Sequence, residues 1–204
     1  MNVRLDVNFK FTAGYVYLGK LDLNNYTGTV NFTTNTKDPY EQSIAVERVN
    51  FFINNIIHGA IFICDSDKET IDNYRKAGAR VIEIPEDPYD QIINMALLSK
   101  LSAITEERII IEQMQLQSED GNGVRFFVTF EEGIGPFAYD GWWSESSVAT
   151  CNPDSTNSII DRSANKPPAW ETFYLGWEEH KEPTNKNPPA TTGNVVVGKF
   201  NDKK

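Results

Sequence analysis

The sequence predicts an α+β fold: an antiparallel sheet packed on one face by two long helices, in the order strand-strand-helix-helix-strand-strand, with a small strand-helix-strand insert between the helices. Three observations predict it. The first eleven residues after Met1 alternate strictly between apolar and polar side chains. Two long stretches open on Asp-Pro-Tyr and continue with apolar residues at helical spacing. A polar turn, Ser118 to Gly123, separates two further alternating runs.

In chain order, Val3, Leu5, Val7, Phe9 and Phe11 share one face of the first strand (residues 2–12), and Arg4, Asp6, Asn8 and Lys10 share the other. A second extended stretch, Tyr15 to Leu23, carries a break signal at Gly19, and a third runs from Thr27 to Thr34 with Val30 and Phe32 inward. One apolar and one polar face suit antiparallel strands covered on one side. The first helix starts at Asp38-Pro39-Tyr40-Glu41, an acid cap with a glutamate three residues on, and Gly59 closes it. Ile44, Val49, Phe52, Ile53 and Ile56 form its buried stripe.

The insert follows as a short strand (residues 60–64), a helix from Lys68 stopped by Gly78, and a second short strand (residues 80–84). A second long helix is expected from Asp87, with Pro88 at the first helical position and Asp90 in the first turn, to about Glu107. The shared Asp-Pro-Tyr openings fit an ancient duplication, but common helix-start chemistry explains them without one and is the favoured reading. A strand from Arg108 to Gln117 places Ile110, Met114 and Leu116 on one face with Glu112, and Gln113, Gln115 and Gln117 on the other. Val124, Phe126, Val128 and Phe130 repeat the alternation after the turn. The hairpin therefore has a greasy face for helices and a polar face left open.

These elements make a core domain of residues 1–132 with its insert at 60–85. Residues 133–181 read as an irregular, aromatic-rich extension docked on that core, and 182–204 as a disordered tail rich in Pro, Asn, Lys, Thr and Gly. With 204 residues, 40% of them apolar, the chain has material for one sizeable core. A net charge of −10 argues against a nucleic-acid partner. No run approaches the ~18 apolar residues of a membrane span, and no signal-peptide layout is present, so no membrane association is expected. Two cysteines, Cys64 and Cys151, make no disulfide framework, and a reducing cytoplasm is the expected setting, the host cytoplasm for a viral protein.

Few residues carry chemistry. Asp65, Asp67 and Glu69 between a strand and a helix have the chemistry of a divalent-cation site, but Ser66 with Glu69 also makes a capping box. Two histidines, His58 and His180, exclude a three-histidine zinc site, and helix capping and solvation account for both. Glu112 on an apolar strand face either pairs with a basic side chain such as Arg48 or reaches the sheet's edge. Trp142 and Trp143 either pin a loop to the core or form a recognition surface. Glu119 and Asp120 lie in the hairpin turn, where a carboxylate can anchor a planar heterocycle through paired N–H donors. The candidate ligand-binding set is Glu119, Asp120, Arg125, Trp142 and Trp143, with no catalytic residue, no metal ligand and no cofactor assigned.

The order of elements over residues 2–131 resembles the tunnelling fold of pyruvoyl-tetrahydropterin synthases, their queuosine-pathway relatives, dihydroneopterin aldolases and urate oxidase. That resemblance implies sheets joined between subunits into a barrel. It also implies a purine- or pterin-anchoring glutamate, to which Glu119 is the counterpart; the synthases' zinc histidines have none. A second resemblance, carried by Gly78-Ala-Arg-Val-Ile-Glu-Ile-Pro85, Asp90-Gln-Ile-Ile93, Gly135-Pro136 and Gly141-Trp-Trp143, is to uncharacterised proteins of large tailed bacteriophages. It implies an accessory role in assembly or in modulating the host and its defences. The leading expectation is thus a non-enzymatic interaction protein of phage origin, acting as a homo-oligomer and on a host protein. The alternatives are a tunnelling-fold binder of a purine, pterin or nucleotide, and a divalent-metal-dependent enzyme using Asp65 and Asp67.

Overall fold

The computed structural model describes residues 4–129, 135–150 and 169–178. Its centre is a six-stranded sheet in the order β4-β3-β1-β2-β5-β6. Strands β1 (Arg4–Tyr17) and β2 (Lys20–Thr34) form one long antiparallel hairpin, followed by helix α1 (Pro39–Phe51), which runs on into a π-helical turn, Phe52–Ile57. The insert comprises β3 (Ile61–Cys64), α2 (Lys68–Lys76) and β4 (Val81–Ile84). Helix α3 (Asp90–Thr105), β5 (Ile109–Ser118) and β6 (Phe126–Thr129) complete the expected strand-strand-helix-helix-strand-strand order, with the insert between the two long helices.

The core lies between one sheet face and the two long helices. Phe9, Phe11 and Ala13 of β1 and Tyr26, Val30 and Phe32 of β2 meet the whole expected stripe of α1 and the apolar side of α3. Each such fully buried side chain contributes roughly 1.5–3 kcal/mol of transfer free energy. Gly59 ends the π-helical turn at φ +77, a conformation a Cβ disfavours.

Several elements differ from expectation for identifiable reasons. The three extended stretches of residues 2–34 are two strands, because Leu18 (φ 50) and Gly19 (φ 73) make a two-residue turn that pairs Tyr17 with Lys20. The insert does not stand apart: β3 pairs parallel to β1, and β4 parallel to β3. The four antiparallel strands are thereby extended into a mixed sheet. Helix α2 lies on the opposite face from the long helices, where Ile71 packs with Val16, Ile63 and Val81. Its cap is Asp67, which accepts from the Thr70 amide at 3.2 Å, rather than the Ser66–Glu69 pair.

Helix α3 begins three residues late. Tyr89 is its N-cap without a side-chain hydrogen bond, and Asp87 and Pro88 form the turn before it. In β5 a bulge resets the alternation: Gln113 pairs with Asn31 but Ile111 with Phe32, leaving Glu112 as the extra residue. Ile109 and Ile111 therefore face the core together with Met114 and Leu116, while Ile110 is exposed. Glu112 stands 3.6 Å from Arg4, not near Arg48, whose partner is Glu106 at 2.9 Å. Strand β6 is shorter than the run from Val124 to Glu131 suggested; Phe130 and Glu131 lie outside the described residues, as do Cys151, His180 and the expected tail.

The later segments pack on the core. Trp142 is 1% exposed and donates from Nε1 to the Glu83 carbonyl at 2.8 Å. Buried Lys100 of α3 donates to the carbonyls of Trp142 and Glu145, each at 2.7 Å, and so fixes the 142–145 loop. Residues 169–178 close over α1, where the Arg48 guanidinium lies between the rings of Trp170 and Trp177, 4.7 and 3.7 Å from their centroids.

Candidate functional site

The alternation that builds the core continues past its apolar end. On β1 the helix-side positions after Ala13 are Tyr15 and Tyr17; on β2 they include Asn24; on β5 the last is Ser118. Polar side chains in core phase leave a gap that the N-terminus of α3 approaches but does not fill. The result is a pocket of about 330 Å³ between Tyr15, Tyr17, Asn24 and the end of β5 on one side and Pro88, Tyr89 and Asp90 on the other, with Gly121, Val124 and Phe126 at its rim.

Two carboxylates converge there. Asp90 accepts from the Ser118 hydroxyl at 2.5 Å, and Ser118 in turn accepts from the Gly121 amide at 3.0 Å. Asp120 accepts from the Tyr15 hydroxyl at 3.2 Å, and its amide donates to Asn24 Oδ1 at 3.3 Å. Burial pushes the Asp90 carboxyl above the usual range, with Asp120 adding repulsion and the Ser118 hydrogen bond opposing both. Burial likewise raises the Tyr15 phenol, helped by Asp120. Desolvation, followed by the charge of Asp90, raises the buried Tyr26 hydroxyl and keeps it protonated, with Asn24 opposing. Tyr17 and Tyr89 pack with ring centroids 5.3 Å apart, and their hydrogen bond, ahead of desolvation, raises Tyr89 to about 12. The pocket is thus flat-walled and electron-rich, and its ionised groups accept hydrogen bonds rather than donate them.

The expected site residues are divided by the sheet. Asp120 lines the pocket. Glu119, one residue earlier, turns to the helix-free face, where it accepts from Asn25 Nδ2 at 2.8 Å. Arg125 lies on that same face, beside a groove with Gln115 and Gln117. Trp142 and Trp143 lie in the core cluster, away from both concavities. Asp65 and Asp67 do not gather with a third ligand; among the described residues no group of three or more His, Cys, Asp or Glu is placed to hold a metal. His58 ends the π-helical turn and accepts from the Thr12 amide at 3.2 Å through Nδ1.

Tyr15, Tyr17, Asn24, Asp90 and Ser118 escaped sequence reasoning. Their signal is phase: they are polar residues spaced like core residues at a strand end. Asp90 was read as helix-start chemistry, and its engagement by Ser118 follows from the late start of α3. Among the described residues, no helix is long and apolar enough to cross a membrane.

No protein-family model matches the chain, and no curated protein is similar to it. Solved structures are. An uncharacterised protein from Wolinella succinogenes aligns at TM-score 0.47 and 11% identity, over 63% of this chain and 98% of that one. The 6-pyruvoyl tetrahydropterin synthase of Plasmodium vivax aligns at TM-score 0.42 and 12% identity, over 63% and 97% of the two chains. The Plasmodium falciparum synthase does so at TM-score 0.39 and 13% identity, over 62% and 96%.

Proposed function

We propose that the protein is a small-molecule-binding module whose pocket at the end of the sheet takes a planar nitrogen heterocycle of the purine or pterin class. One observation carries this reading: two carboxylates, Asp90 and Asp120, and the tyrosines 15, 17 and 89 meet in a single concavity of about 330 Å³. Aromatic walls suit a flat ring. Ionised carboxylates suit ring N–H and exocyclic amino donors, and Asn24 adds both a donor and an acceptor. The ligand contributes the N–H donors that the Asp90 and Asp120 carboxylates accept. Ionised Asp90 is the competent form, so affinity rises with pH until Asp90 has lost its proton, and binding below its raised value releases a proton.

A thermal-shift screen of purines, pterins and their nucleosides tests the proposal. At ~100-fold excess over its dissociation constant a ligand stabilises by about 2.7 kcal/mol, roughly 5–10 °C for a chain of this size. Asp120→Asn and Asp90→Asn each abolish the shift. A panel without any shift removes the reading.

A second reading, a homo-oligomeric interaction protein in a phage accessory role, is favoured by the tip of the β1–β2 hairpin. Strand β5 pairs with β2 only from Tyr26 onward, so residues 20–24 have no strand neighbour on that side among the described residues. Leu18 and Leu23 beside this edge are 82% and 72% exposed. A free edge with apolar side chains is a site for strand addition. Light scattering at micromolar concentration decides: an oligomer dispersed by Leu21→Lys/Leu23→Lys supports it, and a sharp monomer refutes it.

A further inference from the structure

The sheet face that the long helices leave free is laid out in cross-strand rows. Arg4, Thr33 and Ile110 form one row, Asp6, Asn31 and Gln113 the next, then Asn8, Thr29 and Gln115, then Lys10, Thr27 and Gln117. Thr12 and Asn25 follow, with Glu119 bonded to Asn25. Helix α2 covers this face only at Val16 and the insert strands.

Every acid on the open face has a neighbour within it. Asp6 accepts from Asn31 at 2.7 Å, Glu119 from Asn25 at 2.8 Å, and Glu112 stands 3.6 Å from Arg4. The bases between them do not. Lys10 and Arg125 flank a groove of about 290 Å³ whose floor includes Thr27, Gln115 and Gln117, and the side chains of these five residues make no hydrogen bond or ion pair among the described residues. Among the described residues no carboxylate lines the groove. In a chain of net charge −10, this concavity carries two uncompensated cations and a set of idle amide and hydroxyl donors.

We propose that this groove is a phosphate-binding site. Lys10 supplies a compact ammonium and Arg125 a planar fork of N–H donors, the two geometries that together hold a tetrahedral oxyanion. Thr27, Gln115 and Gln117 donate to the remaining oxygens. Glu119 and Asp6, in the rows on either side, set the limits of the site by repelling an anion that drifts along the face. The site lies on the opposite side of the sheet from the heterocycle pocket and is independent of it.

The test is a nuclear magnetic resonance titration of the full chain with inorganic phosphate at constant ionic strength, with acetate and chloride as controls. Saturable shifts at Thr27, Gln115 and Gln117 are expected with phosphate and not with the controls. In Lys10→Gln/Arg125→Gln the affinity falls roughly tenfold or more, because two charge-assisted hydrogen bonds are lost. The melting point without phosphate is unchanged, since neither side chain holds the fold. Asp90→Asn leaves the phosphate shifts intact, so failure of the pocket reading is told apart from failure of this one. Absence of saturation, equal response to acetate, or full affinity in the double variant overturns the proposal.

Discussion

Gly28 is paired with Phe9 on β1 and Leu116 on β5. A Cβ there would stand 2.2 Å from Phe9 Cζ and 2.5 Å from the Gln115 carbonyl oxygen. The ring can shift but the backbone oxygen cannot, so Gly28→Ala costs about 1–3 kcal/mol in a denaturant melt. Lys100 makes a different prediction. Burial pulls its ammonium down to about 7, with the charge of Glu145 opposing. An unfolded lysine titrates near ~10.4, so between these values the unfolded chain holds a proton that the native chain lacks. Stability therefore rises with pH from about 7 upward, by about 1–2 kcal/mol to pH 9, and is indifferent to this group below 7. Lys100→Met removes that rise, and above pH 7 it also lowers stability, because the Trp142 and Glu145 carbonyls lose their donor; chemical denaturation at pH 7 and 9 reads both effects. Asp90, whose folded form favours the proton, behaves oppositely: its contribution is present below the ordinary carboxylate range and is lost as pH rises through its raised value. Asp90→Asn therefore keeps or raises the melting point at neutral pH while removing ligand binding. None of these three roles is visible in the sequence, because each depends on a neighbour nineteen or more residues away.

At the scale of elements, the sequence specified more. The alternation in residues 2–12 and the apolar stripe of α1 give the correct faces, because burial of Phe9, Phe11, Ile44 and Val49 follows directly from period. The β5 bulge was illegible: Ile110 and Glu112 carry nothing that distinguishes an extra residue from an alternating one, and only pairing with Asn31 and Phe32 defines it. The start of α3 was misplaced because Asp87-Pro88 is as good a helix opening as Asp38-Pro39, yet the chain first turns to place Asp90 against Ser118. The 169–178 segment is held through Arg48, which is 1% exposed and donates to the Leu175 and Ile104 carbonyls at 2.9 and 3.0 Å. Arg48→Ala takes the donor from those carbonyls, leaves Glu106 with Arg108 alone at 3.7 Å and opens the aromatic sandwich. We expect a loss of about 3–5 kcal/mol and faster amide exchange at Tyr174 and Leu175, whose amides bond Glu171 and Trp170 within that segment.

At the scale of the molecule, the two faces of the sheet account for what was read and what was missed. The polar open face with Gln113, Gln115 and Gln117 was legible, and among the described residues no long helix covers it. The pocket was not, because it forms where three strand ends and one helix start meet, and no local pattern records that convergence. Glu119 and Asp120, adjacent in sequence, fall on opposite faces, so only one of the two turn carboxylates reaches the pocket. The central claim is that the pocket takes an N–H-rich planar ring on Asp90 and Asp120. Calorimetric titration of the tightest purine or pterin from the screen, into the wild type and into Asp120→Asn at pH 5 and pH 7.5, tests it most directly. The account predicts saturable one-to-one binding that tightens from the lower to the higher pH and is lost in the variant. Binding that is unchanged in Asp120→Asn and insensitive to pH would contradict it.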